Sequence, residues 1–290
     1  MLLNWPQLED RFKSDFGSSF VLHSAEPVSG GDINLGFQLD TNHGPYFIKL
    51  NTPDKLEMFE SEREGLLELA KCLAFVVPEP VSIGQNANAS FLCMTWLDLQ
   101  PVIDQKALGE AIAALHEPIG QQFGAGKNNF IGTTVQHNGW SDDWANFFWE
   151  KRLEPQIYKM LEVESSFPEQ ALAPLKAKVT EVLREYSFVP SLVHGDLWSG
   201  NVGTTANGKP AIFDPAVYWG HAETDLAMAR LFGGFSDEFF AAYKASRATL
   251  EGEEERLLIY QLYHLLNHYN LFGGNYLDQC IRQIGKIMSL

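Results

Sequence analysis

Two short stretches of this chain hold the residue types that phosphoryl transfer requires. One is His194-Gly195-Asp196-Leu197-Trp198-Ser199-Gly200-Asn201, entered from the apolar pair Leu192-Val193. The other is Ile212-Phe213-Asp214-Pro215, where a strand-like pair delivers a carboxylate. Moving a phosphoryl group from ATP to a hydroxyl needs one carboxylate beside the attacking oxygen and hard oxygen ligands for Mg²⁺. Asp196 suits the first task, and Asn201 with Asp214 suits the second. A surface loop with two turn-forming acids is the plainer alternative. His, Asp, Leu and Asn at the required spacing, followed by Asp214 at a strand end, favour the catalytic reading.

Nucleotide phosphates also need a cradle and a cation. Gly30-Gly31 falls between two strand patterns, where glycines let backbone N–H groups approach phosphates closely. The next strand, Tyr46 to Leu50, carries Lys49. A helix begins near Thr52 or Asp54, either of which can cap it, and runs to about Leu73. Its apolar stripe includes Phe59, Leu66, Ala70 and Leu73, and Glu62 falls on that same stripe. A carboxylate facing inward requires a cation, and Lys49 is the nearest one in the preceding strand. A solvated Glu62 at a misjudged helix phase is the alternative. Phe91 to Leu97 is a strongly apolar strand, so Met94, Thr95 and Trp96 would line a purine pocket at an interlobe hinge.

The remaining elements follow in order. A short amphipathic helix covers 4–17, and strands follow at 20–26, 35–39, 46–50, 81–83 and 91–97. Gln105 to His116 reads as a helix, and the Gly, Asn and Thr-rich stretch 118–140 reads as a long loop. Trp140, Trp144, Phe147, Phe148 and Trp149 form an aromatic cluster that suits core packing, on a helix kinked near Pro155. Helices are expected at 168–186, 222–232, 237–247, 253–272 and 276–288. Strands first and helices afterwards, with a two-strand insert carrying the carboxylates, predict an α+β, two-lobed fold. The boundary falls near 97, giving a nucleotide-binding lobe over 1–97 and a catalytic and substrate-binding lobe over 98–290.

Composition narrows the partners. With 21 basic against 37 acidic residues the net charge is −16, which repels nucleic acid and anionic lipid and favours cationic small molecules. No apolar run reaches the length of a membrane helix, and the first residues lack the basic flank and apolar core of an export signal. Cys72, Cys93 and Cys280 are odd in number and far apart, as free thiols in a reducing cytoplasm would be.

His194 to Asn201, together with Phe213-Asp214-Pro215-Ala216-Val217-Tyr218-Trp219-Gly220-His221 and on to Leu226, resembles the fructosamine kinase (ketoamine kinase) family. Further agreement lies at Gly30 to Asn34, Phe47-Ile48-Lys49, Met58 to Glu62, Leu108 to His116, Trp140 to Trp144 and Leu271 to Gly274, so the resemblance covers almost the whole chain. Aminoglycoside and choline kinases share the His-Gly-Asp…Asn pattern but usually place His where Trp198 stands here. The resemblance implies a protein-kinase-like fold and transfer of the ATP γ-phosphate to O-3 of a ketoamine sugar, free or on a protein lysine. The implied role is deglycation repair. Asp32 stands where many eukaryotic relatives carry cysteine, which argues against disulfide control through that loop.

Several residues keep two readings. Trp198 offers a flat face to a sugar or amine, or else packs inward. His221 and His268 could touch substrate, or be satisfied structural histidines. Glu223 and Asp225 open a helix, where negative charge is favourable, and read first as structural. The rivals to a ketoamine kinase are an aminoglycoside- or choline-kinase-like enzyme and a nucleotide-binding pseudokinase.

Overall fold

A computed structural model describes residues 5–28, 33–102, 104–164 and 169–290. The chain divides into two compact units, the first formed by 1–103 with 202–214 and the second by 104–201 with 215–290.

In the first unit, α1 (Trp5–Phe16) precedes an antiparallel sheet of β1 (Leu22–Val28), β2 (Leu35–Thr41), β3 (Tyr46–Asn51), β4 (Pro80–Gln85) and β5 (Ser90–Thr95), ordered β1-β2-β3-β5-β4. Leu8 and Phe12 of α1 pack against Leu39, Ile48, Leu50, Phe91 and Cys93 on one sheet face. Strand alternation then turns the residue between Ile48 and Leu50 to the opposite face. On α2 (Leu56–Leu69), Phe59, Glu62, Leu66 and Leu69 repeat at three- and four-residue spacing, and all are buried.

The helix stops at Leu69, four residues before the expected end. Ala70 is exposed and Leu73 is 82 % exposed, so neither belongs to the inward stripe. Thr52 and Asp54 do not cap α2 either. Thr52 precedes a 3₁₀ turn, Pro53–Lys55, makes no side-chain capping bond there, and α2 begins one turn later.

The hairpin β10 (Val202–Thr205) and β11 (Pro210–Ile212) joins β6 (Leu99–Gln100) in a three-stranded sheet ordered β11-β10-β6. Thr204 pairs with Gln100, and Val76 exchanges backbone bonds with Pro210 and Ile212. The observed units therefore differ from a single division at 97/98, because a hairpin a hundred residues downstream completes the first one.

The second unit is mainly helical: α3 (Gln105–His116), α4 (Trp144–Phe148), α5 (Glu154–Leu161), α6 (Leu172–Arg184), α7 (Glu223–Leu231), α8 (Asp237–Ser246), α9 (Glu253–Phe272) and α10 (Tyr276–Met288). Asp104 caps α3 by accepting from Ala107 N at 2.8 Å, and Asp143 caps α4 by accepting from Asn146 N at 2.9 Å. Between α4 and α5 a π-helical turn spans Trp149–Leu153. Pro155 has no N–H to give to the carbonyl of residue 151, and the chain widens in the turn before it, where a kink was expected.

Trp144, Phe147, Phe148 and Trp149 are core, whereas Trp140 is 53 % exposed. The expected long loop contains an antiparallel hairpin, β7 (Asn129–Ile131) and β8 (Thr134–Gln136). A second short pair, β9 (Ser191–Val193) with β12 (Tyr218–Gly220), supports the His-Gly-Asp loop.

Candidate active site

In the first unit, Lys49 and Glu62 meet as the strand and helix patterns require. The Lys49 ammonium donates to Glu62 Oε1 at 2.7 Å, and the residues are 6 % and 9 % exposed. Lys49 also donates to Asp214 Oδ1, at the end of β11. Burial alone would lower the Lys49 ammonium, but Asp214 and Glu62 overturn that and hold it above its ordinary value. Burial raises the Glu62 carboxyl, with Lys49 opposing the shift and Asp214 adding to it. One buried cation thus carries two carboxylates.

Asp214 has φ of 57°, and among the described residues it is the only non-glycine in the left-handed region. Such backbone strain persists where its surroundings enforce it, and it collects at functional sites. Met94 is buried, and Thr95 closes β5. Thr95 N donates to Glu79 O at 2.9 Å and Trp96 N to Pro45 O at 3.4 Å, so both N–H groups are committed within the protein. Gly30 and Gly31 lie outside the described residues.

In the second unit, β9 leads into the loop that carries Asp196. Gly195 has φ of 82°, and a Cβ there would lie 2.1 Å from the Ala216 carbonyl oxygen, so glycine is required on both counts. A 3₁₀ turn, Ser199–Asn201, brings Asn201 back to the loop. Its Nδ2 donates to Asp196 O at 2.9 Å and to Asp196 Oδ2 at 3.3 Å. That bond fixes the amide, because only Nδ2 can donate, and it directs Oδ1 away from Asp196. Trp198 is 37 % exposed, and its ring lies so close over Gly200 that a Cβ there would stand 2.3 Å from it.

The main anchor of this loop was read from sequence only as helix-start charge. Asp225, on α7, is 1 % exposed and accepts from His194 N at 2.7 Å and Gly195 N at 2.9 Å. His116 Nε2 donates to the same carboxylate at 3.0 Å, and His116 Nδ1 meets the Tyr243 hydroxyl at 2.8 Å. Burial alone would raise Asp225, but His116, His194 and the Gly195 N–H outweigh it and hold it below the usual carboxylate range. The available signal was that α7 is apolar on nearly every side, so acids within it need internal donors. Glu223 follows the same rule, receiving both Nε and Nη2 of the buried Arg256, at 2.8 and 2.7 Å.

His221 is 7 % exposed, with Nδ1 on the Tyr260 hydroxyl at 2.9 Å. Burial, then Arg256 and Arg247, keep it well below its ordinary pKa, which favours the structural reading of this ring. His268 is half-buried, donates from Nδ1 to His264 O at 2.8 Å and packs 4.5 Å from Phe232. The structure therefore gathers Lys49, Glu62 and Asp214 in the first unit, and ties Asp196 to Asn201 in the second.

This arrangement has close counterparts. The family described as fructosamine kinase matches residues 4–290. A ketoamine kinase of Synechocystis sp., so named as probable, is 39 % identical, with 96 % of this chain and 97 % of that protein covered. The crystal structure of a protein named for fructosamine-3-kinase, from Haemophilus somnus 129PT, has a TM-score of 0.90 and 29 % identity, covering 98 % of this chain and 97 % of its own. An aminoglycoside phosphotransferase solved with AMP-PNP and hygromycin B shares the fold, at a TM-score of 0.64 and 17 % identity over 98 % of this chain and 96 % of its own. A family match over nearly every residue, with a relative this similar end to end, places the chain in the fructosamine kinase family.

Proposed function

We propose that this protein is an ATP-dependent kinase that phosphorylates O-3 of a ketoamine, free or on a protein lysine, in deglycation repair. The observation that carries the reading is Asp196, a carboxylate on a loop whose backbone is fixed by Asp225 and whose side chain is held by Asn201. Asp196 accepts the proton of the attacking hydroxyl, or orients it, as that oxygen forms its bond to the γ-phosphorus. The bond from phosphorus to the bridging oxygen breaks, ADP leaves, and the sugar phosphate remains.

Lys49, braced by Glu62, holds the phosphates, and Gly30 and Gly31 cover them. Met94, Thr95 and Trp96 border the purine. The donor chemistry fits Mg²⁺, because Asp214 supplies a carboxylate already matched to a cation and Asn201 supplies a directed amide oxygen. Among the described residues no three His, Cys, Asp or Glu side chains converge, so phosphate oxygens would complete such an ion's shell. Bound Mg²⁺ supplies charge neutralisation on the phosphates.

Trp198 offers an exposed face to the sugar or amine, and the −16 charge favours an ammonium-bearing substrate over a nucleic acid or an anionic lipid surface. Among the described residues no helix is long and apolar enough to cross a membrane. With Cys72, Cys93 and Cys280 all free thiols, we place the protein in the cytoplasm. The test is purified protein with ATP, Mg²⁺ and a panel of ribulosamines, fructosamines, choline and aminoglycosides, read by ³¹P spectroscopy and mass spectrometry. Phosphate on ketoamines is the expected result. Transfer only to choline or an aminoglycoside would overturn the substrate assignment, and no transfer at all would point to a pseudokinase.

A further inference from the structure

Behind the catalytic loop lies a set of buried amides that the His-Gly-Asp motif does not account for. Gln136, the last residue of β8, is 1 % exposed. Its Nε2 donates to Ala216 O at 3.0 Å and to Asn129 Oδ1 at 2.9 Å, and its Oε1 accepts from the Tyr263 hydroxyl at 2.8 Å. The orientation is unambiguous, because a carbonyl can only accept. Asn129 Nδ2 donates to Val217 O at 2.8 Å, so two side-chain amides grip successive main-chain carbonyls. Ala216 in turn donates its own N–H to His194 O at 2.8 Å, and its carbonyl is the group that sits against Gly195.

The network has a second support. Asn138 Nδ2 donates to Asn129 Oδ1 at 2.9 Å, and Asn138 Oδ1 accepts from Arg152 Nη2 at 2.8 Å. Arg152 is fully buried and lies 4.0 Å from the Tyr218 ring centre, so its charge is held by a ring face and by carbonyl oxygens. Every link bears on main chain beside His194, Gly195 or Asp214, and each end is satisfied. Such a network resists small displacements, which is what a reacting carboxylate requires of its backbone.

We propose that Gln136, oriented by Tyr263 and Asn129, is a positioning residue for the transfer step, the hairpin β7–β8 acting as a brace on the backbone behind Asp196. This rests on Asp196 being the working carboxylate. Ala216 connects the brace to the loop, so the effect is on the rate of transfer and not on the affinity for either substrate.

Three variants test it: Tyr263→Phe, Gln136→Leu and the pair together, each assayed for kcat, KM and thermal unfolding. Gln136→Leu should lower kcat by about 10- to 100-fold with each KM within about twofold, the scale of loss that small misplacements cause. Tyr263→Phe should lower kcat by about 3- to 10-fold, and the double variant should be no slower than Gln136→Leu, because the hydroxyl acts through the amide. Gln136→Glu keeps an acceptor for Tyr263 but removes the donor to Ala216, and should be as slow as Gln136→Leu. A kcat within about twofold of wild type for the folded variants, or additive losses in the pair, would overturn the proposal. Should Gln136→Leu fail to fold, Tyr263→Phe decides alone: it deletes one hydroxyl, and an unchanged kcat refutes the brace. Asp196→Asn, run beside them, separates the two readings: full activity there removes the catalytic assignment itself, whereas a slow Asp196→Asn with normal brace variants sinks only the brace.

Discussion

The two units hold their working residues by different physics. In the first, Lys49, Glu62 and Asp214 form a charge cluster, one ammonium against two carboxylates, with Lys49 and Glu62 almost fully buried. In the second, Asp196 stands on a loop held through its backbone, by the Asp225 carboxylate, by the Ala216 N–H and by the Asn201 amide. A phosphate-binding group must exchange partners as a charged nucleotide arrives, so a cluster of ions with interchangeable partners suits it. A group that takes a proton at one atom needs its position fixed, and main-chain bonds supply that. The difference teaches that ion pairs and backbone anchors are divided here by task.

Four measurements would break or sharpen that division. The largest effect should come from Asp196→Asn, which leaves the loop in place but removes the proton acceptor. Turnover should fall by about 10²–10⁴ while ATP affinity, by calorimetry, stays near wild type. Near-normal turnover would show that the fixed loop serves something other than Asp196.

Next is Asp225→Asn. An amide nitrogen would face the His194 and Gly195 N–H groups or His116 Nε2, placing donor against donor. Breaking such a buried arrangement should cost about 3–5 kcal/mol of stability in urea unfolding and lower kcat as well. A stable variant with normal kcat would mean that backbone anchoring is not what holds the loop.

The third is a double-mutant cycle on Lys49→Met and Glu62→Gln. Each single change should impair turnover, and the pair should depart from additivity by about 1 kcal/mol or more, the range found for residues in contact. Additive losses would separate Glu62 from the work of Lys49.

The smallest is a pH effect whose sign differs between the units. Burial pushes His264 down to about 3, and it also lowers His268 and His221. A depressed folded value means stability that is complete above the unfolded pKa near 6.5 and is lost as pH falls toward the folded value. Glu62 is raised instead, so its contribution is present at low pH and lost as pH rises. Hydrogen exchange between pH 7 and 5 should therefore show acid weakening in α9, by about 1.4 kcal/mol per pH unit for each fully titrating histidine, and none around β3 and α2. Equal weakening of both regions would contradict the division.

Much of this could be read from residue order. The helices at 105–116, 253–272 and 276–288 have the expected limits, because long periodic segments with punctuated ends leave little choice. Lys49 and Glu62 were paired because a strand alternation and a helix stripe each point inward, and both rules act locally. Non-local pairings were not legible. Nothing within Leu99-Gln100 announces the partner β10, and the amides of Asn129 and Gln136 looked like loop composition until the backbone placed carbonyls against them. Asp225 was hidden for a related reason: a helix-start acid serves the helix end or distant N–H groups equally well, and sequence does not say which. The end of α2 was misplaced because Leu73 fits the stripe by spacing, although the helix has already ended.

The π-helical turn at Trp149–Leu153 bears on how this chain tolerates insertion and deletion. Such a turn is an α-helix carrying one surplus residue, so deleting one position there would restore a regular helix with little local cost. Everything before or after the deletion would then rotate by about 100°, the angle per helical residue. Arg152 would leave the Tyr218 face, or Gln156, Ile157 and Met160 would leave the core. A change that looks neutral by secondary structure would therefore exchange interior for surface along a whole helix. Alignment gaps placed at this turn should be treated as changes of packing and not of loop length.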